Sequence, residues 1–195
     1  MPINSTEAES QSISEEQLRR LFESSDPVQA FFDGGYPEYE SQLQEMVDAG
    51  IIMVPTIDRP FGQLIRKPAP TQEESVYISI ILGIVEQFNE MGGDVALGTD
   101  FNSAAGDRAG MPIGELEMLL AAGLTPMELI EAGTRHAAAA CGQGDQLGTL
   151  EPGKLADVII VDGDPLEDFT TMSQVILVIK DGEVAFASDD AFGPP

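Results

Sequence analysis

Val95-Ala96-Leu97-Gly98-Thr99-Asp100 is a short apolar run that ends on a carboxylate, and a Gly- and Ala-rich stretch, Phe101 to Gly110, follows it. Val95 to Leu97, bounded by Gly92-Gly93 and Gly98, is too short for a helix and reads as a buried strand. In a parallel α/β fold the loops at the carboxyl ends of the strands carry the chemistry, so Asp100 is a candidate functional group. Asp is also common in turns, and the local sequence leaves open that Asp100 only caps one.

Working upstream, Thr71-x-x-Glu74 is a capping box that opens a long helix to about Met91, closed by Gly92-Gly93. Residues 56 to 70 hold Pro60, Gly62, Pro68 and Pro70 and read as a long loop of functional character. Ile51 to Val54 reads as a strand buried on both faces, and the spacing of Leu43, Met46 and Val47 predicts a helix from Pro37 to Ala49 with Gly50 after it. Ser12-x-x-Glu15 opens a shorter helix through Leu18, Leu21 and Phe22 that ends at Asp26-Pro27. Residues 1 to 11 are polar, Ser- and Glu-rich and expected to be disordered.

Downstream, a helix is expected from Pro112 to Ala122, and Thr125-Pro126-x-Glu128 starts another that runs to about Ala140. After residue 145 only strands are expected: Ala156 to Val161, Val175 to Lys180, and a hairpin through Asp181-Gly182 into Glu183 to Phe186. The organisation is therefore α/β over 12 to 144, an all-β piece over 145 to 188, and a tail over 189 to 195.

The composition narrows the function. In 195 residues, 34 Asp and Glu face nine Lys and Arg, a formal charge of −25, which repels nucleic acid and anionic membrane surfaces. Three lysines among so many carboxylates resemble a protein of salt-rich cytoplasm, and an ordinary acidic protein fits equally. The longest apolar stretch, Tyr77 to Val85, falls far short of a membrane span, and the first residues lack the pattern of a signal peptide, so a cytoplasmic location is expected. A single cysteine, Cys141, rules out an internal disulfide and is expected to be a buried structural thiol.

Several separate stretches occur in one order: Met46-Val47-Asp48-Ala49-Gly50 before Val54-Pro55-Thr56; Ala96-Leu97-Gly98-Thr99-Asp100; Ala121-Ala122-Gly123-Leu124-Thr125-Pro126-Met127-Glu128-Leu129-Ile130. Leu147 to Asp157, Asp162-Gly163-Asp164-Pro165-Leu166 and Val178-Ile179-Lys180-Asp181-Gly182 complete the set. Together they resemble the amidohydrolase superfamily, most closely its imidazolonepropionase-like and prolidase-like members, over residues 40 to 187.

The resemblance implies an α/β fold: a partial TIM-type (β/α) barrel, its last two or three strand-helix units, followed by part of a small β-sandwich. It implies metal-dependent hydrolysis of non-peptide carbon–nitrogen bonds in a small cyclic amide or related amide. Asp100 matches the aspartate that ends the eighth strand, contacts the metal and takes a proton from the attacking water. Asp33, in Phe31-Phe32-Asp33-Gly34-Gly35, falls near the family's sixth-strand histidine and is a second candidate ligand. Thr56 and Asn102 would border the substrate pocket.

The departures are equally plain. The family's His-x-His pair and strand-end histidines cannot exist in a chain whose one histidine is His136, in the expected last helix, where it reads as a partly buried residue satisfied by local hydrogen bonds. A barrel takes about 250 residues. The chain is therefore expected to be incomplete, poorly stable and inactive alone. A divalent metal, zinc by the resemblance, is expected only when a complete site is assembled, and none held tightly by this chain alone. The competing readings are a truncated, non-catalytic member that serves as an interaction module, and a complementing subunit of a split enzyme. Open strand edges make a complementing chain or a homo-oligomer the expected partner.

Overall fold

The computed structural model describes residues 37–100, 110–189 and 191. The expected helix between Ser12 and Asp26, and the candidate residues Asp33 and Asn102, lie outside the described residues.

The amphipathic spacing at Leu43, Met46 and Val47 does produce a helix, α1 (Pro37–Asp48), with Leu43 buried. Gly50 takes the left-handed turn (φ 66°) that releases the chain from it. The chain then pairs in parallel with the run before Asp100 through one bridge, Met53 to Val95: Met53 N–H donates to Asp94 O (2.9 Å), and Ala96 N–H to Met53 O (2.8 Å). Val95 and Ala96 are buried as expected, whereas Ile51 and Val54 are about half exposed (47% and 46%), so that first run is not covered on both faces. Among the described residues this bridge is the parallel pairing that the α/β reading foresaw.

Residues 56 to 70 correct the expectation of a long loop, because they contain helix α2 (Asp58–Ile65). Pro60 is tolerated because it falls in the first turn, where its missing N–H has no intrahelical partner to lose. Helix α3 (Gln72–Glu90) starts on the expected capping box: Thr71 Oγ1 accepts from Glu74 N–H, and the Glu74 carboxylate accepts from Thr71 N–H. Gly92 ends it at φ 84°. Helix α4 (Ile113–Ala121) follows, and then α5 (Pro126–Glu131) on a second capping box from Thr125 and Glu128.

The expected single helix to Ala140 is interrupted. Residues Ala132–His136 form a π-turn before α6 (Ala137–Ala140). The widened turn frees Ala132 O, which accepts from Leu97 N–H (2.9 Å). Tertiary hydrogen bonding to the strand run, invisible to local periodicity, outweighs helical regularity here. Cys141 ends this segment exposed, which corrects its reading as a buried thiol. It sits at the last helical turn, where the chain leaves the core.

The core is one cluster in which Val85 and Phe88 of α3, Val95, Leu116 and Leu119 of α4, Leu124, Leu129 and Ala132 meet. Each large apolar side chain that is fully buried contributes about 2 kcal/mol of transfer free energy.

Beyond it stands an antiparallel sheet of three strands in the order β1 (Val158–Val161), β2 (Val175–Lys180), β3 (Glu183–Ala187). Asp181 (φ 53°) and Gly182 (φ 80°) make the foreseen β2–β3 turn with both central residues left-handed. Ile159, Ile160, Val184 and Phe186 remain largely exposed on the sheet. Asp164 Oδ1 accepts from Leu166 N–H (2.8 Å), so Asp164-Pro165 is a turn. A 3-10 helix, Phe169–Ser173, which sequence periodicity did not indicate, joins β1 to β2.

The Leu147 to Lys154 connection is organised by one side chain. Lys154 Nζ donates to Gly144 O (2.8 Å), Leu147 O (3.3 Å) and Thr149 Oγ1 (2.6 Å). Three donors on one ammonium match three acceptors on a loop that has no ladder of its own. No described helix is long and apolar enough to cross a membrane.

Candidate functional site at the strand ends

Because the two runs pair in parallel at Met53 and Val95, their carboxyl ends point the same way, and both end on a strained residue. Thr56 stands at φ 53° and Asp100 at φ 49°. Neither is glycine, and left-handed conformations of such residues cost on the order of 1 kcal/mol or more and gather at functional sites. Gly98 lets the ends approach, since a Cβ there would collide with Val54 Cγ1.

Asp100 extends into solvent, its side chain 77% exposed, and its carboxylate Oδ2 lies 3.5 Å from Arg59 Nε. Arg59 belongs to the first turn of α2. That turn is fixed from below by Glu115 of α4, whose Oε1 accepts from Ile57 N–H (2.8 Å) and Oε2 from Asp58 N–H (2.7 Å). Glu115 is 1% exposed. Burial pushes its carboxyl above the ordinary carboxylate value, outweighing the two backbone hydrogen bonds that favour the ionised form, and the nearby Asp58 charge acts in the same direction as burial.

Arg66 closes the same corner. Its guanidinium reaches Asp58 Oδ1 (2.6 Å), Glu117 Oε2 (2.9 Å) and Gly114 O (3.3 Å), and the Asp58 hydrogen bond is the main reason its pKa lies above the ordinary arginine value. Helices α2 and α4 are thus tied by one buried carboxylate and one exposed guanidinium.

His136 is turned elsewhere. Its Nδ1 meets Val95 O (2.9 Å), an acceptor only, so Nδ1 carries the proton. Its Nε2 faces Arg135 Nη2 (3.0 Å) and Asp94 Oδ1 (3.1 Å): a neutral ring accepts from Arg135, a charged one donates to Asp94. Asp100 follows Val95 by five positions along the strand run, on the order of 15 Å at ~3.3 Å per residue. The histidine is more deeply buried than expected, at 8% exposure, and it is satisfied by Val95 and Asp94, some forty residues away in sequence, where local hydrogen bonds were expected; it does not join Asp100.

A resident metal can be tested against these donors. Asp100 offers one solvated carboxylate, its neighbour at 3.5 Å is a cation, and the one imidazole is committed to a backbone carbonyl at the far end of the strand run. Among the described residues no group of three or more His, Cys, Asp or Glu side chains comes together to hold a metal ion. A zinc site needs three or four such donors, so the described residues do not fit one.

Of the candidate residues, then, Thr56 and Asp100 come to the same end of paired runs. Sequence reasoning missed Arg59 and Glu115. A signal for Glu115 existed: with Met118, Leu119 and Ala122 it occupies the i, i+3, i+4, i+7 stripe that α4 buries, and an acid on such a stripe must have a partner. Arg59 carried no signal, since its pairing depends on α2, which the prolines concealed.

The sequence model of the Amidohydrolase family matches residues 69–185. An imidazolonepropionase of Symbiobacterium thermophilum is 43% identical over 72 residues, 37% of this chain and 17% of that protein. One from Syntrophobacter fumaroxidans is 31% identical over 124 residues, 64% and 26%. The chain therefore spans about a quarter or less of the length of these relatives. Among solved structures, a Xaa-Pro dipeptidase with methionine bound in its active site is similar with a TM-score of 0.59 and 27% identity, over 76% of this chain and 37% of that one. The ochratoxinase of A. niger gives a TM-score of 0.61 and 26% identity, over 78% and 37%.

Proposed function

The chain belongs to the amidohydrolase family, and on that premise we propose that it is the C-terminal portion of a hydrolase that opens carbon–nitrogen bonds in a cyclic amide or related small amide. Relatives and structural neighbours that act as an imidazolonepropionase and a Xaa-Pro dipeptidase support that bond class. In this reading Asp100 is the base. It takes a proton from the water that attacks the amide carbon, and returns it to the nitrogen as the carbon–nitrogen bond breaks. Thr56, held at the neighbouring strand end, offers its hydroxyl to the substrate, and Asn102 and Asp33 remain candidates for the pocket and for a second carboxylate.

Members of this family are generally metal-dependent, and this chain has one histidine, so in this reading the family's histidine ligands come from the part of the fold that the relatives have in addition. The observation that carries the reading is the placement of Asp100: a strained carboxylate at the carboxyl end of a strand run paired in parallel. The test is reconstitution. A polypeptide bearing the first six strands and their histidines is added to this chain, and hydrolysis of a cyclic amide and bound zinc are measured. Hydrolysis by the pair alone, falling about 100-fold or more with Asp100→Asn, is the expected result. A fully active Asp100→Asn pair refutes the role of Asp100.

A second reading, a non-catalytic member kept as an interaction module, is favoured by one observation, the absence of a metal-holding cluster among the described residues. It expects no zinc uptake and no hydrolysis in the same reconstitution.

A further inference from the structure

We infer that Arg59 is the resident cation of the Asp100 centre, and that a divalent ion must compete with its guanidinium for the Asp100 carboxylate. The inference takes from the functional reading only that Asp100 is the reactive carboxylate.

Four observations carry it. The Arg59 Nε to Asp100 Oδ2 distance of 3.5 Å sets a positive charge directly beside the carboxylate, on a side that an incoming cation would approach. An arginine is charged at every working pH, so this cation does not leave by titration. Second, Arg59 is held in place: it follows directly on Ile57 and Asp58, whose N–H groups are pinned by the buried Glu115. The guanidinium is delivered by the framework that shapes the strand end.

Third, cations are scarce here, nine Lys and Arg against 34 Asp and Glu. Arg66, Lys67 and Lys180 are spent on ion pairs that tie down turns and helix ends. A guanidinium at the mouth of the paired runs is thus not a product of abundance. Fourth, the donor set around Asp100 does not fit a metal among the described residues, while it does suit a monovalent organic cation that needs one oxygen.

The pair is also weak enough to yield. Both side chains are open to solvent, at 36% and 77%, and exposed ion pairs contribute at most about 1 kcal/mol. The consequence is competition and not exclusion. Arg59 balances Asp100 when no metal is near, and lowers its affinity for a divalent ion by up to about fivefold, the factor that 1 kcal/mol represents.

The experiment is a Mn2+ titration of the whole chain in moderate salt, read as paramagnetic broadening of the Asp100 backbone resonances. A site-specific signal is required because the many other carboxylates also bind Mn2+ loosely. Arg59→Ala is expected to broaden Asp100 at a lower Mn2+ concentration than the parent chain needs, by a factor of up to about five. Arg59→Gln, which keeps most of the side-chain volume, is expected to do the same and guards against loss of fold in the alanine variant. Arg135→Ala removes the same charge far from Asp100 and leaves the midpoint where it was. Equal midpoints in the parent and both Arg59 variants overturn the inference, as does an equal gain in Arg135→Ala. So does tight stoichiometric binding at Asp100 in the parent chain. These outcomes are separable from failure of the hydrolase reading, which is decided by Asp100→Asn in the reconstituted pair.

Discussion

Glu115→Ala removes the acceptor for two backbone donors at once. Ile57 is 2% exposed, so its N–H, now 2.8 Å from Glu115 Oε1, would lie in the core with no partner, and the half-buried Asp58 N–H would lose its 2.7 Å bond. An unsatisfied buried donor costs about 1–3 kcal/mol. Taking about 2 for Ile57 and about 1 for the wetter Asp58 gives a loss of about 3 kcal/mol, or roughly 6–12 °C in Tm for a chain of this size. Urea denaturation followed by circular dichroism reads the global loss, and amide hydrogen exchange reads it locally at Ile57 and Asp58.

The pH dependence has a definite sign. Burial raises the folded-state pKa of Glu115 above its unfolded value, so its contribution is fully present below the unfolded carboxylate range and is lost as the pH rises through the folded value. The deficit of Glu115→Gln, which does not titrate, is therefore largest in acid and shrinks toward neutral pH. An alanine variant whose urea midpoint and exchange rates match the parent would refute the clamp. A glutamine deficit that grows with pH would refute the assignment of burial as the dominant cause.

Gly98→Ala drives a Cβ into Val54 Cγ1 and is expected to lower Tm by several degrees; Val54→Ala in the same chain restores most of the loss, and failure to restore it would place the strain elsewhere. Lys154→Met abolishes three hydrogen bonds and is expected to cost about 2 kcal/mol and to speed proteolysis between residues 143 and 153, with an unaltered cleavage pattern counting against it. Thr56→Gly relieves a left-handed β-branched residue and is expected to be neutral or to raise Tm by a few degrees, at about 1 kcal/mol of strain less the glycine entropy cost; a large loss would show that the Thr56 side chain has a structural role.

Much of the fold was legible because its signals are local. The capping boxes at Thr71 and Thr125, the left-handed Gly50 and Gly92, and the Asp181-Gly182 turn each involve residues a few positions apart, and each was found where its pattern stood. What stayed hidden depends on contacts distant in sequence. Helix α2 was masked by Pro60, which is harmless only because it fell in the first turn. The π-turn exists because Ala132 O and the His136 ring serve the strand run near Val95, some forty residues away along the chain. The position of Asp100 at the end of a paired apolar run was legible; its guanidinium neighbour was not, since nothing in a sequence announces which cation a helix will present to a carboxylate. Cys141 was misjudged because free cysteines are usually buried, and this one follows an alanine turn at the margin of the core.

The π-turn has a bearing on self-association. A run of backbone such as Val95 to Leu97, bridged among the described residues to Met53 on one side, offers its other rim as a template for a neighbouring molecule. Here a carbonyl and an imidazole from the same chain occupy the Leu97 donor and the Val95 acceptor. That rim is sealed against fibril-like stacking, and disrupting the seal, by straightening the turn or removing the ring, would turn a quiet border into a seed for aggregation.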